Sequence, residues 1–488
     1  MPLSESERKL VDSVPHGLLI GGAWRDAAGG RTFDVEDPST GEPLCAVADA
    51  TAGDALAALG AAATAQPRWA ATAPRERAEI LRRAHERILA RADDLALLMT
   101  LEQGKPLAGS HGEIAYGAEF FRWFGERTVA VGGEYRVSPD GRGRILTLRQ
   151  PVGPCLLITP WNFPLAMGAR KIAPAIAAGC TMVVKPAAET PLTMLALAEI
   201  LAGCGLPDGV LNVVPTSDPG AATRPLLADP RLRKLSFTGS TAVGRELYAR
   251  AADQVLRVSL ELGGNGPFLV FHDADLEAAV DGAMIAKMRN MGQACTAANR
   301  FLVDNRVAGE FADRLVERMA AEVVGRGTEP GVTVGPLVSA KAVAKVSALV
   351  ADAVARGGKV LLGGTALPGP GHFFEPTVIA DVPDGARMLS EEVFGPVAPI
   401  RTFAYDAAAI AEANATEYGL VAFAYTADLS RALRTAETLE AGMVGINTGL
   451  VSNPAAPFGG VKSSGVGRES GFEGIDEYLE TKYVSLPA

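Results

Sequence analysis

The sequence predicts an α/β fold of two lobes, and three observations carry that prediction. From Cys155 onward, short β-branched runs alternate with helical stretches at intervals of about 25 residues, the length of a strand plus one crossover helix. A second alternation of the same kind begins after about Leu262. The chain of 488 residues is 48% hydrophobic and 21% charged, a globular balance with ample apolar material for large cores. Its length corresponds to roughly three domains at about 150 residues each.

Taken in order, Thr51 to Ala65 is Ala-rich with Thr at its head, a helix starting on a capping side chain. A second helical pattern follows Pro74, with Ile80, Leu81, Ala84, Ile88 and Leu89 forming the apolar stripe. Gly132–Gln150, with Pro-Asp-Gly at its centre, reads as a hairpin inserted before the first alternation. Such a hairpin suits a dimer contact or a simple surface excursion. The strands predicted next are Cys155–Thr159, Thr181–Lys185, Val210–Val214 and Lys234–Thr238, a mostly parallel sheet covered on both faces. In the second lobe they are Phe268–Phe271, Phe301–Asp304, Lys359–Leu362, Leu420–Tyr425 and Met443–Asn447.

Charge and cysteine usage exclude several classes. With 46 Lys+Arg against 56 Asp+Glu the formal charge is −10, which argues against a nucleic-acid or anionic-membrane partner. No apolar run approaches the ~18 residues of a membrane span. The start, Met1 to Leu10, is polar and mixed in charge, without the look of a signal peptide. A cytoplasmic protein is expected. Five cysteines, at 45, 155, 180, 204 and 295, form neither a disulfide framework nor a Cys-x-x-Cys pair. The histidines are dispersed too, so no metal site is expected.

Ligands of a parallel sheet sit at the carboxyl ends of its strands. The Gly-x-Gly-x-x-Gly dinucleotide fingerprint is absent, but Phe237-Thr-Gly-Ser-Thr-Ala-Val-Gly244 follows the fourth strand. Its Gly239-x4-Gly244 frame lacks the Lys-Ser/Thr of a phosphate loop, which disfavours a nucleotide triphosphatase. Such a turn can still offer N–H groups and a helix N-terminus to a diphosphate, or be no more than a tight turn. Cys295, in Gly292-Gln-Ala-Cys295-Thr, is by itself more often a structural thiol than a nucleophile. Glu261, before Leu-Gly-Gly-Asn265, suits a general base or an exposed strand end. Asn162, between two prolines and two aromatics in Pro160-Trp-Asn-Phe-Pro164, suits an oxyanion donor or a packed turn. Lys185 ends the second strand. Asn162, Lys185, Gly239 and Glu261 thus all fall at predicted carboxyl ends, and that coincidence favours a functional reading.

Together these motifs resemble the aldehyde dehydrogenase superfamily. Pro160-Trp-Asn-Phe-Pro, Lys185-Pro, Phe237-Thr-Gly-Ser-Thr, Glu261-Leu-Gly-Gly-Asn, Gly292-Gln-x-Cys295, Glu392-Val-Phe-Gly-Pro396 and Pro457-Phe-Gly-Gly-x-Lys462-x-Ser-Gly465 occur in the family's order and spacing. The resemblance implies an aldehyde dehydrogenase-like fold. A Rossmann-like NAD(P)-binding domain would comprise 1–128 and 150–260, and an α/β catalytic domain 261–443. Residues 129–149 and 466–488 would form a small β oligomerisation flap, usual in homodimers and homotetramers, while 444–465 return to the active site. Cys295 would be the nucleophile, Asn162 an oxyanion donor and Glu261 the base for the deacylating water. Trp161, Lys185, Ala188, Gly239, Ser240, Glu392 and Phe394 would bind the cofactor.

Within the superfamily the chain looks most like succinate-semialdehyde dehydrogenases. Arg170, in Trp161-Asn-Phe-Pro-Leu-Ala-Met-Gly-Ala-Arg-Lys171, matches an arginine that holds the substrate carboxylate; Arg289 matches a second, and Ser452 a serine of the same pocket. Phe458 would line it. The implied reaction is NAD(P)-dependent oxidation of succinate semialdehyde to succinate. Rivals are another carboxylated aldehyde such as glutarate semialdehyde and, from a different class, a non-catalytic structural relative. Part of that branch carries a second cysteine two residues after the nucleophile as a redox switch; here Ala297 stands there, and no switch is expected. NAD-preferring relatives commonly carry Glu at the third residue after Lys185, where this chain has Ala188, so NADP is expected to be accepted and preferred over NAD.

Overall fold

A computed structural model describes residues 3–487. Met1 and Pro2 of the polar start, and Ala488 of the expected flap, lie outside the described residues.

The Ala-rich segment forms the helix Ala52–Ala70. Its start is fixed reciprocally: Thr51 Oγ1 accepts from the N–H of Asp54, and Asp54 accepts from the N–H of Thr51. The helix outruns the expected end at Ala65 because Pro67, without an N–H, is tolerated near its last turn. Pro74–Ala90 begins on Pro74 as expected and buries Ile80, Leu81, Ala84 and Ile88, leaving Leu89 exposed.

The first alternation folds into an eight-stranded sheet. Five parallel strands form its centre, in the order Arg257–Glu261, Lys234–Thr238, Cys155–Ile158, Met182–Lys185, Leu211–Val213. The four predicted strands are all present, each within two residues of its expected ends. Antiparallel edges close both sides: Leu18–Ile20 with Ala23–Arg25 at one, Gly465–Val466 at the other. Those edge strands are too short to leave a periodic signal in the sequence.

The second lobe is a seven-stranded sheet in the order Lys359–Leu362, Thr377–Ala380, Val397–Phe403, Ala298–Asp304, Gly266–Val270, Val421–Tyr425, Met443–Ile446. Only the pairing of its first two strands is antiparallel. Two differences from expectation have a local cause. The strand expected at Phe301 starts at Ala298, because the buried Arg300 guanidinium is spent on the carbonyls of Asn265, Glu412 and Ala413. Val397–Phe403 went unpredicted because Pro399 and Arg401 break its apolar run.

The hairpin comprises Tyr135–Val137 and Gly143–Pro151, and the C-terminal strand Leu479–Pro487 pairs along the whole second strand. This three-stranded sheet exposes Tyr135, Val137, Leu148, Tyr483 and Leu486. Among the described residues no helix is long and apolar enough to cross a membrane.

Candidate active site

Two cavities flank the Asn162–Phe163 segment. One, of about 540 Å³, is lined by Trp161, Asn162, Glu189, Gly239, Ser240, Glu261, Cys295, Lys341, Lys345, Glu392 and Phe394, among others. The other, of about 560 Å³, is lined by Lys105, Tyr116, Phe163, Arg289, Asn290, Leu450 and Ser452, among others. Asn162 and Phe163, adjacent in the chain, face different cavities.

Cys295 follows a turn that few sequences can make. Asn290, Met291 and Gly292 all have left-handed φ, at 53°, 55° and 72°, and such backbone persists only where its surroundings enforce it. Here Asn290 Nδ2 donates to the carbonyls of Asn162 (2.9 Å) and Gln293 (3.0 Å), tying the turn to the loop after Ile158. Position 292 must be glycine on two counts, since a Cβ there would also meet the Gly395 carbonyl oxygen at 2.1 Å. Cys295 itself is half-buried. Burial pushes its thiol up to about 12, with Arg170 and Arg289 pulling the other way.

Glu261 ends its strand with the residue only 2% exposed and neither carboxylate oxygen bonded within the protein. Burial raises its pKa well above the usual range, and the nearby Glu469 raises it further. Asn162 Nδ2 donates to the Gln293 carbonyl at 3.0 Å, and its Oδ1 has no partner. The asparagine's own carbonyl accepts from Lys105 Nζ at 2.8 Å. Lys105 is ion-paired with Glu113, whose other oxygen caps the next helix at the N–H groups of Leu165 (2.9 Å) and Ala166 (3.1 Å).

On the first cavity's far side, Ser240 caps the helix Thr241–Ala252. Gly239 packs so tightly that a Cβ would lie 2.4 Å from the Phe237 ring. The rings of Trp161 and Phe394 meet edge-on at 5.3 Å. Glu392 accepts from the N–H of Gly264, and burial raises it to about 7. Thr238 Oγ1 is buried without a partner beside this wall. A cavity of this size with a helix N-terminus, aromatic edges, a carboxylate and two lysines fits a dinucleotide.

The second cavity presents a cation and a hydroxyl together: Arg289 Nη1 lies 3.4 Å from Ser452 Oγ. The Arg289 guanidinium is 4.8 Å from the Phe163 ring centroid. Among the described residues no cluster of His, Cys, Asp or Glu could hold a metal ion.

The aldehyde dehydrogenase family profile matches residues 24–484.

The chain belongs to the aldehyde dehydrogenase family.

It is 58% identical over 443 residues to a succinate-semialdehyde dehydrogenase of Paenarthrobacter nicotinovorans, covering 91% of this chain and 98% of the relative. A glutarate-semialdehyde dehydrogenase of Pseudomonas aeruginosa is 51% identical over 467 residues, 96% of each chain. The crystal structure of an Escherichia coli NADP-dependent enzyme superposes with a TM-score of 0.96 at 48% identity, covering 100% of both chains.

Against this aldehyde dehydrogenase fold, the residues singled out from sequence fall into three groups. Cys295, Glu261, Asn162, Trp161, Gly239, Ser240, Glu392 and Phe394 come together around the first cavity, and Arg289 with Ser452 line the second. Lys185 sits behind the first wall, almost fully buried, its pKa lowered to about 8 by that burial and held up by Glu189. Ala188 is not part of the wall; its neighbour Glu189 is, because the turn after Lys185 carries the glutamate to the opening. Arg170 departs most from expectation. It is 1% exposed, lines neither cavity, and stacks on Phe458 at 3.9 Å while donating to Tyr116 Oη at 2.6 Å. Phe458 is buried with it. Sequence reasoning missed Lys105, Glu113 and Tyr116 altogether: Lys105 sits in the short loop before the helix Leu107–Thr128, and polar residues on that helix look like an ordinary solvated face.

Proposed function

We propose that this aldehyde dehydrogenase oxidises succinate semialdehyde to succinate, with NADP accepted and preferred over NAD. The carrying observation is that Cys295 lines a dinucleotide-sized cavity within electrostatic reach of Arg289, whose own cavity also holds the Ser452 hydroxyl. That pair of donors suits a short aldehyde ending in a carboxylate.

In this reading the Cys295 sulfur, once deprotonated, forms a bond to the aldehyde carbon, and the carbonyl oxygen takes up the negative charge. Asn162 Nδ2 and the Cys295 N–H donate to that oxygen. The bound nicotinamide supplies the acceptor for the hydrogen and its electron pair that no side chain can provide. Trp161, Phe394, Gly239, Ser240 and Glu392 would hold the cofactor, with the buried Lys185 and the turn through Ala188 and Glu189 supporting that wall. Glu261 then takes a proton from water, the water oxygen bonds to the thioester carbon, the C–S bond breaks and succinate leaves. Arg289 and Ser452 line the substrate end, with Arg170 and the Phe458 ring it stacks on packed behind, adding positive charge toward Cys295, and the exposed apolar residues of the three-stranded sheet support a homodimer or homotetramer. The cytoplasm is the proposed compartment.

Glutarate semialdehyde is the second reading, favoured by the 51% identical relative of that name. Two fixed donors recognise a carboxylate but not the number of methylenes before it. A panel of succinate, glutarate and adipate semialdehydes with butanal, each with NADP and NAD, decides by kcat/KM. A highest value for butanal overturns the carboxylated-aldehyde reading.

A further inference from the structure

Two strained turns meet at one carbonyl. Phe394, on the wall of the first cavity, has a left-handed φ of 56°, and Asn290 to Gly292, ahead of Cys295, are left-handed as well. Side-chain-bearing residues keep such backbone only where their neighbours enforce it. The Gly395 carbonyl lies between the two turns, since a Cβ on Gly292 would come within 2.1 Å of its oxygen. On its other side Gly395 is closed off by Val346, whose Cγ2 a Cβ on Gly395 would meet at 2.7 Å.

One side chain grips this peptide. Lys287 is fully buried in the last turn of the helix Leu276–Met288, and its Nζ donates to the Gly395 carbonyl at 3.3 Å and to Asn299 Oδ1 at 2.7 Å. Its own carbonyl oxygen would lie 3.2 Å from a Cβ on Gly292. The Gly395 carbonyl also accepts from the N–H of Val397 at 2.9 Å, and among the described residues no other side chain reaches it. Burial lowers the Lys287 pKa to about 7, and Glu392 pulls it back up. A buried ammonium is costly, and an apolar chain of the same size would fill the space without that cost. What the ammonium supplies is a bond between the two turns.

We propose that Lys287 is a positioning residue, clamping the Phe394 turn of the dinucleotide cavity to the turn before Cys295, so that cofactor affinity and thiol access depend on the same peptide. The proposal rests on the dinucleotide reading of that cavity and names what fixes the cavity wall to the thiol.

The test is Lys287→Met in the purified enzyme, with NADP affinity read by fluorescence quenching and Cys295 access by iodoacetamide alkylation with peptide mass spectrometry. Without the clamp, Kd and KM for NADP are expected to rise roughly three- to tenfold, while KM for succinate semialdehyde stays within about twofold. Alkylation of Cys295 in the cofactor-free enzyme is expected to quicken about threefold as its turn loosens, with the half-buried Cys45 unchanged. The sign is diagnostic, because losing a cation that acted only through its charge would slow the thiolate reaction.

In a double-mutant cycle with Phe394→Gly, which removes the ring that the clamp presents, Lys287→Met is expected to add little to the loss of NADP affinity. Losses that multiply would mean that Lys287 acts elsewhere and would overturn the proposal. So would an unchanged Kd for NADP, equal rises in both KM values, or alkylation of Cys295 that is slower or unchanged. Lys287→Gln, one bond shorter, keeps a polar group for Asn299 and loses reach toward Gly395; it carries the same measurements should Lys287→Met fail to fold. Wild-type enzyme whose fluorescence responds to neither NADP nor NAD would instead overturn the dinucleotide cavity, and this proposal with it.

Discussion

Lys105 Nζ reaches across the interior to the backbone carbonyl of Asn162 at 2.8 Å, and the same ammonium is paired with Glu113. Both side chains are fully buried. Glu113 in turn receives the first N–H groups of the helix Pro164–Ala178. One ion pair thus fixes both the loop that carries Asn162 and the helix that carries Arg170.

Breaking that pair should be expensive. Glu113→Ala leaves a buried ammonium and two helix N–H groups without partners, and about 3–5 kcal/mol of stability should be lost. Glu113→Gln keeps an acceptor for the N–H groups and should lose less. Chemical denaturation of both variants measures this, and a loss under about 1 kcal/mol for Glu113→Ala would show that the pair positions nothing.

Cys295→Ala should abolish turnover while cofactor binding persists, as titrated by fluorescence quenching. Glu261→Gln should fail later, giving a burst of reduced cofactor that stalls at the thioester. Loss of the burst as well would assign Glu261 to activation of the thiol.

Because burial holds the Cys295 thiol at about 12, the reactive thiolate is a minor species at neutral pH and grows as pH rises. Alkylation of Cys295 by iodoacetamide, followed by peptide mass spectrometry to separate it from the half-buried Cys45, should rise about tenfold per pH unit from 7 to 9. Arg289→Met removes a cation that favours the thiolate and should slow the reaction. A plateau by pH 8 in the cofactor-free enzyme would contradict the burial argument.

Glu189 lines the cavity proposed for the cofactor, and its charge acts on the buried Lys185. Glu189→Gln removes that negative charge and should raise kcat/KM for NADP relative to NAD about three- to tenfold, the scale of roughly 1 kcal/mol at a partly exposed site. Ala188→Glu should move the ratio toward NAD. An unchanged ratio in Glu189→Gln would mean its carboxylate points away from the ribose.

In the proposed site Arg289 is a charge-assisted partner of the substrate carboxylate. Arg289→Met should lower kcat/KM for succinate semialdehyde by one to two decades, roughly 1.5–3 kcal/mol, and change butanal far less. Equal losses on both would make the arginine structural.

Local chemistry made much of this protein readable from its sequence. The Thr51 cap, the parallel strands from Cys155 to Thr238 and the glycine turn at 239 are set by residues adjacent in the chain, through periodicity and capping. The motifs carrying Asn162 and Glu261 could be placed at strand ends, and Cys295 after a helix, on the same grounds, whereas Glu392 comes only from the family resemblance. Only the tertiary structure decided what those residues face. It took Arg170 out of the cavity and put Tyr116 in, because the Phe458 ring and Glu469 come from a segment nearly 300 residues later and neutralise the guanidinium in the core. It exchanged Ala188 for Glu189, since a one-residue difference in a turn selects which side chain meets the opening. It also revealed the Lys105–Glu113 pair, which no periodicity announces. Burial and long-range charge pairing depend on contacts between distant segments, and these exist only once the chain has closed on itself.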